Sequence, residues 1–154
     1  MQTRRATSRR RTAGFSLIEL VIVVTLIGIL GVIAAPRFAN ASARQRVIAA
    51  ANRIEADIKL AQQYARASSD EYTLSFSDPR FYQCTSADGL REQTVNINEE
   101  PYGAKVKAMI EGGGTDLVFN GYGLPRNGAI FEVVNDAHRI TLKIDPITGE
   151  VTQQ

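Results

Sequence analysis

One carboxylate, Glu19, stands inside an apolar run from Phe15 to Ala35 that is otherwise fit for a bilayer. As a helix those 21 residues cover about 30 Å at about 1.5 Å per residue, the thickness of a hydrocarbon core. An ionisable group there costs a few kcal/mol even on lenient insertion scales, so the chemistry to look for is a charge pair made in low dielectric. The first helical turn softens that cost, because its free backbone N–H groups solvate an anion. Glu19 therefore needs a partner, and Phe15–Ala35 contains no other ionisable side chain.

Other chemistry is thinly supplied. His138 is the sole histidine, set between Ala137 and Arg139 at an expected hairpin, and reads as a solvated turn residue. Ser16, Ser42 and Ser68 have no evident His/Asp partner, so no catalytic constellation is expected. Asp116, Asp136 and Asp145 lack the Asp-x-Asp-x-Asp spacing of a Ca²⁺ loop. No metal and no cofactor is implied. Cys84 is the single cysteine, which excludes an intrachain disulfide, and it is expected to be buried and inert.

Charge divides the chain. Residues 1–14 hold Arg4, Arg5, Arg9, Arg10 and Arg11 and no acid, a positive segment of the kind kept on the cytoplasmic side. The formal charge of +2 conceals this: without the first fourteen residues 13 basic face 16 acidic residues, a net −3, and from Ala67 onward 7 face 13, a net −6. An acidic C-terminal part weighs against general nucleic-acid binding, which needs a basic face. The order basic segment, Gly14, then a long apolar run is also not that of an ordinary cleaved signal, and no convincing Ala-x-Ala precedes Pro36-Arg37.

These features need a positioning scaffold. Beyond Pro36, Val47, Ala51, Ile54, Ile58, Ala61 and Ala65 recur at alternating spacings of four and three, one apolar stripe of an amphipathic helix, with Arg44, Arg46, Arg53, Asp57 and Arg66 expected on the other side. One long helix from about Phe15 to about Ala67 follows, interrupted or bent where Pro36 removes a donor and Gly28 and Gly31 weaken helix propensity. After Ser68-Ser69-Asp70 the pattern alternates. Strands are predicted at Tyr72–Phe76, Arg80–Cys84, Gln93–Ile97, Lys105–Ile110, Asp116–Asn120, Ala129–Val134 and Arg139–Asp145, with a short last one from Val151. Asp78-Pro79, Asp88-Gly89, Gly112-Gly113-Gly114, Gly121-Tyr122-Gly123, Asn127-Gly128 and Thr148-Gly149 separate them, the Asn-Gly pair suiting a tight hairpin. The expected class is α+β: a long N-terminal helix packed on an antiparallel sheet. The divisions are 1–14 basic leader, 15–36 transmembrane and assembly helix, 37–67 amphipathic helix half, and 68–154 β-rich head.

Gly14-Phe15-Ser16-Leu17-Ile18-Glu19-Leu20, after a basic leader and before the apolar helix, resembles the processing site of type IV prepilins and type II secretion pseudopilins. The resemblance covers Arg4 to about Phe38. It implies cleavage between Gly14 and Phe15 by a membrane-embedded prepilin peptidase, methylation of the new Phe15 amino group by the same enzyme, and an assembly role for Glu19. Implied partners are other subunits, the inner-membrane assembly platform and membrane lipid; the implied site is the inner membrane, crossed once, with the head periplasmic. The stretch Leu117–Gly123, Ile130–Val133, Arg139–Ile144 and Thr148–Val151 is similar to the ending of minor pilins of the H-type and fimbrial-tip class, and Ala34–Phe38 to mannose-sensitive haemagglutinin-type pilins. A single cysteine, where major pilins commonly close a loop with two, points to a minor, low-copy subunit. Two alternatives stand beside a structural subunit: a DNA-uptake pilin reading duplex through Arg126, Arg139 and Lys143, against the −6 head, and a tip adhesin using Tyr72, Phe81, Tyr82 and Tyr122.

Overall fold

The computed structural model describes residues 15–136 and 138–154, so the expected leader, with Gly14, lies outside the described residues. Two compact units divide the chain, one ending at Phe38 and the other running from Ala39 to Gln154. The helix α1 (Leu17–Ser68) contributes to both.

In the first unit α1 is a bare apolar helix. The unwinding expected at Gly28, Gly31 and Pro36 does not occur: every residue from Leu17 to Ser68 keeps helical backbone. A proline forfeits one ladder bond, and the bonds on either side hold the turn. The one hydroxyl of this stretch is satisfied locally, Thr25 Oγ1 donating to the Val21 carbonyl at 2.7 Å, so it presents no open donor to an apolar surrounding.

In the second unit the predicted stripe is the buried one. Val47, Ala51, Ile54, Ile58, Ala61 and Ala65 are at most 1 % exposed, joined by Ala50. They pack with eight strands: β1 (Tyr72–Asp78), β2 (Phe81–Ser86), β3 (Glu92–Asn96), β4 (Lys105–Ile110), β5 (Asp116–Phe119), β6 (Ala129–Val134), β7 (Arg139–Ile144) and β8 (Val151–Gln153). Alternation sends Tyr72, Leu74 and Phe76 of β1, and Ala129, Phe131 and Val133 of β6, into one core.

The single sheet expected from sequence is in fact two, ordered β3-β2-β1-β5 and β4-β6-β7-β8, each antiparallel. The physical reason lies in the turn after β4. Gly112, Gly113 and Gly114 all have positive φ (89°, 81° and 102°), a run only glycine adopts without strain, and it carries the chain from the second sheet to the first. Asn127-Gly128 consequently is not a hairpin turn, because β5 and β6 belong to different sheets. Its glycine instead holds Glu111, whose N–H donates to the Gly128 carbonyl at 2.9 Å and whose carboxylate accepts from the Gly128 N–H at 3.2 Å. The sheets are joined by Val106 N–H donating to the Pro79 carbonyl at 2.8 Å and by the Phe76 and Phe131 rings, 4.6 Å apart.

The loop after β5 locks onto the end of α1. Arg66 Nε donates to the Tyr122 carbonyl at 2.9 Å and, one turn earlier, Gln62 Nε2 donates to the Gly149 carbonyl at 2.7 Å. Gly123 makes the fit possible: its φ is +70° and a Cβ there would lie 2.6 Å from the Gln62 carbonyl oxygen. Gly123→Ala should therefore destabilise the head by more than about 1 kcal/mol, from both the left-handed backbone and the collision. Denaturant unfolding of the detergent-solubilised chain, followed by far-UV circular dichroism, measures this; an unchanged midpoint would refute the close packing.

Candidate functional site

The start of α1 places the sequence-predicted site residues. Phe15 and Ser16 precede the helix, and the ladder opens with Leu20 N–H donating to the Ser16 carbonyl at 3.1 Å. Ser16-Leu17-Ile18-Glu19 thus has the S-x-x-E spacing of a capping box, a signal that sets the helix start one residue before Leu17. Glu19 lies in the first turn, is exposed, and forms no hydrogen bond or ion pair among the described residues. The helix dipole favours a carboxylate at this end by about 0.3–1 kcal/mol, which is well short of what removing it from water costs.

Around it the surface is apolar. Leu17, Ile18, Leu20, Val21, Ile22, Val24, Leu26 and Ile27 are each more than half exposed, as are Ile29, Leu30, Val32 and Ile33. Burying a side chain of this kind is worth about 1.5–3 kcal/mol, so the segment requires a nonaqueous surrounding or a partner. By length and composition α1 passes as a membrane span. Gly14, the other half of the expected cleavage bond, lies outside the described residues.

A second polar centre was not foreseen. Asp57, assigned by sequence to the solvent side, is 8 % exposed and is the one buried charged residue among those described. Its Oδ2 accepts from the Tyr82 hydroxyl at 2.5 Å and from Arg53 Nε at 2.9 Å. Burial and the adjoining Asp57 carboxylate hold the Tyr82 hydroxyl firmly protonated, its pKa raised well above that of a free phenol. The signal was present in the spacing: Ile54, Asp57 and Ala61 follow the same three-and-four rhythm as the stripe. Nearby, burial pushes the Cys84 thiol up to about 12, so it stays protonated and unreactive at neutral pH.

The remaining candidates are dispersed. Asp145 is spent on its own turn, accepting from Ile147 N–H at 2.8 Å and Thr148 N–H at 2.9 Å. Among the described residues no three His, Cys, Asp or Glu side chains converge as metal ligands would. Arg126 is paired with Glu71 and Arg139 with Glu132. Tyr72 and Tyr82 belong to the core, Phe81 is half-buried, and Tyr122 is exposed. His138 departs from the solvated turn residue expected of it: the ring is half-buried, and its Nε2 is shielded from solvent with no hydrogen-bond partner among the described residues.

Comparison with known proteins agrees with this anatomy. The family described as the prokaryotic N-terminal methylation motif matches residues 9–35, which include Gly14, Phe15 and Glu19. Two fimbrial proteins of Pseudomonas aeruginosa are 33% identical over 96 residues, 58% of this chain; the match spans 62% of their length. The fold is similar to that of the type IV minor pilin FimU of Pseudomonas aeruginosa strain PAO1, with a TM-score of 0.56 at 13% identity over 72% of this chain and 90% of that one. A second crystal form of FimU gives 0.52 over 69% and 90%. In motif and in fold the chain is similar to type IV pilins. Its long helix on antiparallel sheets is the fold that the resemblance implied.

The Arg53–Asp57–Tyr82 chain ties helix to sheet at a buried point. Asp57→Ala should cost more than Tyr82→Phe, since it strands a hydroxyl in a dry core, whereas the phenylalanine leaves Asp57 with Arg53; a charge-assisted hydrogen bond of this kind is worth about 1.5–3 kcal/mol. The double variant should recover part of the Asp57→Ala loss, a coupling measurable in a double-mutant cycle of denaturant midpoints. Strict additivity would show that the two groups do not interact.

Proposed function

We propose that the chain is a structural pilin or pseudopilin subunit, made as a precursor, cut between Gly14 and Phe15 by the prepilin peptidase, methylated at Phe15, held in the inner membrane by the apolar part of α1 with its head in the periplasm, and then stacked into a type IV pilus or type II secretion pseudopilus. One observation supports the reading: an exposed apolar segment, Leu17–Ala35 of α1, whose sole carboxylate, Glu19, has no partner among the described residues and follows Gly14-Phe15 within the methylation motif.

Cleavage removes five arginines and creates an ammonium at Phe15, four residues from Glu19. Stacking subunits side by side brings Glu19 of one within reach of the Phe15 ammonium of a neighbour. In a low-dielectric layer the aligned register pairs both charges, and a misaligned one leaves both unpaired at a cost of several kcal/mol. Glu19 is then a register key, and the peptidase supplies its lock. The assembly platform's part is to lift the subunit out of the bilayer, which the apolar neighbours in the filament replace as solvent.

Mass spectrometry of the protein purified from membranes of a cell with active peptidase should find a chain starting at methylated Phe15; an intact Met1 terminus there would exclude the processing step. Glu19→Val should be cleaved like the parent yet fail to enter filaments, read by immunoblot of sheared filament fractions. Normal incorporation of that variant would overturn the register role.

A further inference from the structure

Strand register sorts the charge of the second unit onto two sheet faces. In β4-β6-β7-β8 the positions turned away from the core hold Lys105, Lys107, Arg139 and Lys143 with one acid, Glu132. In β3-β2-β1-β5 the outward positions hold Glu92 and Asp116 and no base, with threonine, serine, glutamine and asparagine between them. We propose that the basic sheet face of one copy docks on the acidic sheet face of a second copy of this chain.

The charges are available. Lys105, Lys107, Lys143, Glu92 and Asp116 form no ion pair among the described residues, and Arg139 holds Glu132 only at 3.5 Å. The Asp116 carboxylate accepts one weak bond, from the Thr115 hydroxyl at 3.2 Å, which leaves it acceptor positions to spare. Their spacing also matches. Glu92 and Asp116 stand three strands and one row of side chains apart, a diagonal of about 16 Å at about 4.8 Å between strands and about 3.4 Å per residue. Lys105 and Lys143 stand two strands and two rows apart, about 17 Å on the same spacings. Two ammonium groups can therefore meet two carboxylates at once. Each face also offers apolar area within its charged rim: Met109 and Ile130 are cross-strand neighbours, 40% and 37% exposed, while Phe81 and Val118 are half-buried on the acidic side.

Charge balance favours a second copy as the occupant. From Ala67 onward 7 basic residues face 13 acidic ones, so two copies repel through most of their surfaces and attract where the basic face meets acid. At physiological salt the screening length is about 8 Å, so the attraction is felt only in the docked arrangement. The two faces differ, which makes the contact heterologous: each docked copy still presents one face of each kind, and the contact extends into a row of copies. This deepens the stacking reading given above and rests on it for the row.

A mixture of ¹⁴N and ¹⁵N full chain, reconstituted in phosphatidylcholine vesicles and treated with a carbodiimide that condenses touching amines and carboxylates, tests the contact. Mass spectrometry distinguishes joins between copies, because they include mixed-isotope pairs. The expected joins run from Lys105, Lys107 or Lys143 to Glu92 or Asp116. Lys105→Glu with Lys143→Glu should lower their yield at least about tenfold, as should Glu92→Lys with Asp116→Lys, because each sets like charges against one another at two places. Mixing the two double variants should restore joins, now between positions 105 or 143 of one and 92 or 116 of the other. Same-isotope joins alone, mixed-isotope joins only elsewhere on the head, or double variants that do not restore one another overturn the docking. Protection of the three lysines by added duplex DNA, without mixed-isotope joins, makes the face one for nucleic acid and overturns it too. The joins should survive Glu19→Val, so filaments of the parent chain with no such join would remove the head contact and leave the register reading standing.

Discussion

A single helix that must satisfy two different surroundings governs this molecule. From Val47 to Ala65 the apolar stripe of α1 is covered by the protein's own sheets, and the residues are essentially inaccessible. From Leu17 to Ile33 the same helix carries exposed apolar side chains, and none of them is buried among the described residues. A two-sided pattern needs a sheet and an all-round pattern needs a lipid or a bundle of similar helices. The first demand is met among the described residues and the second is not.

Much of the head was legible because its strands are half-buried and its turns are chemically marked. β4 and β6 have the bounds that alternation and turn residues predicted, and the other strands shift by a residue or two at their ends. The partition into two sheets was not legible, since alternation reports which face of a strand is buried and not which strand lies beside it. Three glycines in sequence read only as a turn between strands and are a crossover between sheets. Asn127-Gly128 misled for the same reason: a dipeptide that suits a hairpin also suits any tight turn, and here Glu111 is what it serves.

The candidate site stood out in a different way. Glu19 and Phe15 stood out because an apolar run has so low a background of charge, and the structure places both, exposed, at the beginning of α1. Asp57 escaped because charge was given priority over spacing. Its neighbours along the stripe are buried, and a carboxylate there survives only because a tyrosine hydroxyl and a half-exposed guanidinium share it. His138 escaped because the burial of a hairpin residue depends on tertiary packing, which alternation and turn chemistry do not report.

Charge placement along α1 gives the proposed register its uniqueness. Between Phe15 and Ile54 the chain has one acidic side chain, Glu19, while Arg37, Arg44, Arg46 and Arg53 are all basic. An ammonium carried into the apolar layer by a neighbouring subunit therefore meets one acceptor of opposite sign and, further along, only charges that repel it. Sliding the neighbour by a turn in either direction exchanges a pair for two isolated charges, and a longer slide toward the head adds repulsion to that loss. A second acid within the run would have offered a second register. The specificity of the contact comes as much from the acids that are missing as from the one that is present.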